Sequence, residues 1–159
     1  MNENINIDYD GAKILITVNG KVNEDTIFPT IKFTPKSSVL FDLNGLTLLN
    51  SCGIRGWISW LNTFSKSVSA VTFKNCNRIF IEQVNLIEGL VPAGGIIESY
   101  YIPYYCEKCD LVESELVESK NSADRTIFKN KKCQKCQGPM ELDVMEEKYL
   151  KFLKKYSKK

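Results

Sequence analysis

Two C-x-x-C pairs, Cys106 with Cys109 and Cys133 with Cys136, are separated by 23 residues in a chain that contains no histidine. Each short turn can offer two thiolates to one tetrahedral ion at about 2.3 Å, provided the intervening chain folds back to bring the turns together. With no imidazole available, all four ligands must be cysteines. Such a site is closed and therefore structural, because a catalytic zinc keeps one coordination position for water. Metal binding on the order of 10 kcal/mol can then replace a core under "DLVESELVESKNSADRTIFKN". One Zn2+ is the expected cofactor; a four-thiolate iron and redox-active dithiols use the same chemistry and remain alternatives.

The absence of histidine also limits catalysis. It removes the usual general base and both the Ser-His and Cys-His nucleophile pairs. "GLVPAGG" has glycines without the spacing or the lysine of a phosphate loop, and no convergent carboxylate pair stands out. The chain reads as a non-enzyme. Its 21 Lys and Arg against 19 Asp and Glu leave a net charge of +2, too small for a global attraction to polyanions. No run of 18 apolar residues could cross a bilayer, and "MNENINIDYDG" has no apolar signal core, so a cytoplasmic protein without membrane insertion is expected. In that compartment thiols stay reduced, which favours metal ligands over disulfides; Cys52 and Cys76, without partners at ligand spacing, read as small core residues.

Hydrophobic periodicity organises the rest. "INIDYDG" and "KILITVNG" alternate around Asp10-Gly11 and predict an opening β-hairpin. Pro29 and Pro35 restrict residues 20–38 to a connector with at most a short helical turn. "SVLFDL" predicts a central strand covered on both faces, followed by a helix that buries Ile54, Trp57, Ile58, Leu61 and Phe64. "AVTFKNC" and "NRIFIEQVNLIEG" predict a further strand and helix, the latter closing at Gly89, and "GGIIESYYIPYY" a last strand. Strands alternating with helices define an α/β class with a mixed sheet. A closing amphipathic helix is expected over 143–159, capped by Asp143 with Glu146 three residues on, its lysines from Lys148 onward forming a solvated face.

Two resemblances follow from these residues. "CQKCQGPME", with Gly138 after the knuckle, resembles the second half of a zinc ribbon; the likeness spans 100–142, with Asp110 where a glycine often follows the first knuckle. The hairpin, the strand "VLFDLNGLTLL", the turn "NSCGIRG" and the helix after it resemble a STAS domain, over residues 4 to 102. The resemblance implies a STAS-like domain at 1–102, a ribbon at 103–142 and the helix at 143–159. It also implies that Ser51 is the serine phosphorylated by a partner-switching kinase, that Asn50 replaces the usual Asp, and that the partner is an anti-sigma factor or kinase-type regulator. Independently of the family, Ser51 sits where a serine caps a helix, and a small residue at Gly53 would let a partner approach.

Three functions compete. The first is a regulatory protein-binding module, similar to anti-sigma factor antagonists, docking through Asn50, Ser51 and Gly53. The second is an adaptor for nucleic acid or the transcription machinery, with Lys131, Lys132 and Lys135 touching phosphates. The third is a scaffold that serves only in assembly.

Overall fold

The computed structural model describes residues 4–157. A five-stranded sheet has the order β1 (Ile5–Asp10), β2 (Lys13–Val22), β3 (Ser38–Leu49), β4 (Ala70–Lys74), β5 (Ile96–Ile97). β1 and β2 form the antiparallel hairpin, with Asp10 facing Lys13 across the turn, and β2 to β5 run parallel. This is the mixed α/β sheet that the alternating pattern predicts. The helices α1 (Ser51–Asn62) and α2 (Arg78–Leu86) supply the crossovers.

Both helices pack on one face. Phe41 of β3 stacks on Phe73 of β4 at 4.8 Å between ring centroids and meets Trp57 of α1 at 5.1 Å, while Phe73 meets Phe80 of α2 at 5.6 Å. Val39, Phe41 and Leu43 are buried there, whereas their alternate neighbours Leu40 and Asp42 are only half-buried. The expectation of a strand covered on both faces is thus corrected. The apolar run "SVLFDL" hides a period of two, because Leu40 and Leu43 fall on opposite sides of the pleat.

The connector contains no helix and runs as a strap along α1. Phe28 packs on Trp60 at 5.3 Å, and the Trp60 indole donates to the Pro29 carbonyl at 2.8 Å. Gly56 leaves room for that ring: a Cβ there would lie 2.5 Å from Phe28 Cε2.

Beyond β5 the chain joins a second sheet of order β7 (Leu111–Glu118), β6 (Ser99–Cys106), β8 (Glu141–Leu142), all antiparallel. β6 is not separate from the first sheet. The Cys76 amide donates to the Ser99 carbonyl at 3.1 Å, and the Tyr101 amide to the Cys76 carbonyl at 2.9 Å, an alignment reached through Asn75 at φ 54°. β6 therefore crosses the expected boundary at residue 102. One hydrophobic cluster runs from Ile14 in β2 to Cys106, Cys133 and Tyr156.

The tail departs from the expected helix. Asp143 does not cap it: its carboxylate pairs with Arg78 of α2 at 2.7 Å, and Met145 precedes the first helical residue without a side-chain cap. The segment is a turn of helix, α3 (Glu146–Tyr149), a 3-10 turn (Leu150–Phe152), and a second turn of helix, α4 (Leu153–Tyr156). A 3-10 turn brings side chains three apart into line, which suits Tyr149 and Phe152, both buried. Phe152 meets Tyr100 of β6 edge-to-face at 5.0 Å, and Asn85 of α2 donates to the Tyr149 carbonyl at 2.8 Å. The tail is thereby tied to both sheet and helix; residues 158–159 of the predicted helix lie outside the described ones.

Burial raises the phenols of Tyr100, Tyr104 and Tyr149 above their ordinary value, Tyr104 to about 12. A raised folded pKa favours the protonated fold, so this contribution is complete below pH ~10 and is lost as pH rises through the folded value. Thermal melting should therefore be flat up to about pH 10 and fall between about 10 and 12, with a shallower fall for Tyr104→Phe.

Candidate metal centre and docking corner

The four knuckle cysteines come together. Their Sγ atoms all lie within 4.8 Å of one another, and Cys106 and Cys136 approach to 3.6 Å. A tetrahedron with metal–sulfur bonds of about 2.3 Å has edges of about 3.8 Å, so the donor set fits a four-thiolate ion. Cys106 and Cys133 are buried and Cys109 and Cys136 half-buried. The ligands would thus hold the ion partly within the protein core.

Local backbone geometry explains how each pair is presented. The first knuckle is the loop of the β6–β7 hairpin, closed by Cys106 opposite Leu111. The second is closed by a bridge between Lys132 and Pro139, with the Cys133 amide donating to the Gly138 carbonyl at 2.9 Å. In both, the residue after the second cysteine is left-handed: Asp110 at φ 49° and Gln137 at φ 60°. That shared conformation turns the chain back after each pair. At Asp110 it accompanies a hydrogen bond of 2.7 Å from the Tyr105 hydroxyl, and aspartate tolerates this region better than most residues. At Gln137 the strained position precedes Gly138, whose amide donates to Cys136 Sγ at 3.3 Å. That amide and the Cys109 thiol hold the Cys136 thiol down at about 7, while Cys109, bonded to Cys136 and desolvated, is pushed up to about 12.

The lysines of the second knuckle divide. Lys131 lies 3.8 Å from both Glu113 and Glu115 of β7 and its side chain is only 21% exposed, so it is occupied within the second sheet. Lys132 and Lys135 are exposed at the surface of the knuckle.

At the other end of the chain, Ser51 is not the cap expected of it. Asn50 caps α1: its Oδ1 accepts from the Gly53 amide at 2.9 Å, and its Nδ2 donates to Glu24 Oε2 at 2.8 Å. Asn50 thus satisfies a helix-end donor and ties the strap to the corner. That hydrogen bond holds the Glu24 carboxyl below the usual range. Ser51 is the first helical residue, and both it and Cys52 are exposed, which corrects the reading of Cys52 as a core residue; Cys76 is buried as expected. Gly53 faces inward, which corrects its expected role: a Cβ there would lie 2.1 Å from the Val22 carbonyl oxygen. It serves the approach of α1 to the end of β2, not that of a partner.

Sequence reading missed four contributors: Asp110 and Gln137 as left-handed pivots, the Gly138 amide, and Glu24. The pivots and Gly138 had a signal, their place just after each C-x-x-C; Glu24 had none. Compared with protein-family models and with curated proteins, the chain matches none. Among the described residues no helix is long and apolar enough to cross a membrane. What stands is an α/β protein with a mixed sheet and a cluster of four cysteines whose geometry is compatible with a metal.

Two substitutions separate these roles. Helix propensity alone predicts that Gly53→Ala stabilises α1 by about 1 kcal/mol; the backbone contact predicts instead a loss of several kcal/mol, about 3 or more, in urea unfolding. Gln137→Gly should relieve the left-handed strain and raise stability by about 1 kcal/mol, read in the same experiment with metal present.

Proposed function

We propose that the chain is a non-catalytic regulatory module that binds a protein partner through the corner at Ser51, and that one structural zinc at Cys106, Cys109, Cys133 and Cys136 locks its C-terminal part. The observation that carries the docking reading is the exposure of Ser51 and Cys52 on a corner whose backbone is held by the Asn50 cap and the Gly53–Val22 contact. A pre-organised, exposed helix start binds with little ordering cost and is sensitive to added charge. The likeness of "NSCGIRG" to the STAS turn supports an anti-sigma factor or kinase-type regulator as the partner. The charge that Asn50 lacks is supplied beside it by Glu24, 2.8 Å from its amide.

Phosphorylation of Ser51 would place nearly two negative charges on the first turn of α1, next to Glu24. The surface offered to a partner would become more strongly acidic than Glu24 alone makes it. The alternative, a ribbon adaptor touching phosphates, is weakened by the engagement of Lys131 with Glu113 and Glu115. The all-cysteine donor set supports zinc over hard-ligand metals, and the buried position of two of its thiols supports a structural role.

Mass spectrometry of protein recovered from its native cell should find phosphate on Ser51. Partner capture should be kept by Ser51→Ala and fall about tenfold or more with Ser51→Asp. Equal capture by both variants, with no phosphate on Ser51, contradicts the switch.

A further inference from the structure

The end of α2 and the tail enclose two adjacent clefts of about 460 and 400 Å3 that share Asn85 and Leu86 as a common wall. Leu86, 79% exposed, stands as the crest between them, and Met145, 68% exposed, lines the first. Apolar side chains left in water at a polar-rimmed concavity mark a binding surface.

Charge around the clefts is unbalanced. Arg78 is held by Glu82 and Asp143, and Lys155 by Glu88. Lys148 in the first cleft and Lys151 and Lys154 in the second make no ion pair among the described residues. Glu146 and Glu147, the acids at the start of α3, line neither cleft. The remaining field is positive, and its centre is apolar.

We propose that these clefts dock a short acidic, amphipathic segment of a protein partner, with apolar side chains entering on either side of Leu86 and carboxylates meeting Lys148, Lys151 and Lys154. Helices that lie in grooves use this combination of spaced apolar anchors and complementary charge. Single-stranded nucleic acid is held by bases stacked on exposed aromatic faces, and Tyr149 and Tyr156 are buried, at 3% and 6% exposure. A bilayer takes up a convex apolar face, whereas the clefts are concave. The surface contains no residue of the Ser51 corner, so it can fail or stand independently of the regulatory reading.

A displayed library of random 12-residue peptides, selected on the full chain, tests it. Enriched peptides should be acidic, with apolar residues three or four apart. In fluorescence anisotropy, the strongest of them should bind about tenfold more weakly to Leu86→Ser/Met145→Ser and to Lys148→Glu/Lys151→Glu/Lys154→Glu, and equally to Ser51→Asp. Circular dichroism checks that each variant is folded; all five substituted positions are exposed, and the single variants Leu86→Ser and Lys151→Glu serve if a multiple one does not fold. Enrichment without an acidic bias, no enrichment at all, binding unaffected by the cleft variants, or association with phosphatidylserine vesicles in place of peptides overturns the proposal.

Discussion

The convergence of four thiols at the end of β6 is the constraint on which the C-terminal third depends. Between Cys109 and Cys133 the chain buries little: β7 is mostly exposed, with Leu111 and Val117 only half-buried against the core, and Phe128 is the one large apolar side chain that is fully buried. Such a stretch cannot offset its own ordering entropy by hydrophobic burial alone. Its ends are joined instead at Cys106 and Cys133, which belong to the same buried cluster as the α/β core. A metal bound there would tie this segment and, through Tyr100 and Phe152, the tail to the sheet.

The α/β layer rests on a different interaction, the aromatic stack about Phe41. Rings of α1, β4 and α2 meet over one face of the sheet, and each such pair adds about 0.5–1.5 kcal/mol beyond burial. The stack seats α1 on the sheet through Trp57. From there the Asn50 cap and the close backbone contact at Gly53 leave Ser51 no freedom except exposure. Core packing and the proposed docking corner are therefore consecutive links of one chain of contacts.

Much of this was legible in the sequence. The strand and helix pattern depends on apolar periodicity, which survives in any context, and the C-x-x-C spacing carries its own geometry. What could not be read depends on long-range partners. Asp143 looks like a cap until Arg78, 65 residues away, claims its carboxylate. Gly53 looks permissive until the Val22 carbonyl occupies the space above it. Serine and asparagine cap equally well, so only the hydrogen bond to the Gly53 amide decides between the neighbours Ser51 and Asn50. The strap at 23–37 has no periodicity at all, because it is held by single anchors, Phe28 and the Pro29 carbonyl on Trp60, and not by a repeating face.

X-ray absorption at the zinc edge, on protein purified without chelator and quantified for metal, tests the central claim most directly. The account predicts about one zinc per chain, with four sulfur neighbours at about 2.3 Å and no nitrogen or oxygen. A ratio near zero, or a shell containing oxygen or nitrogen, would contradict it.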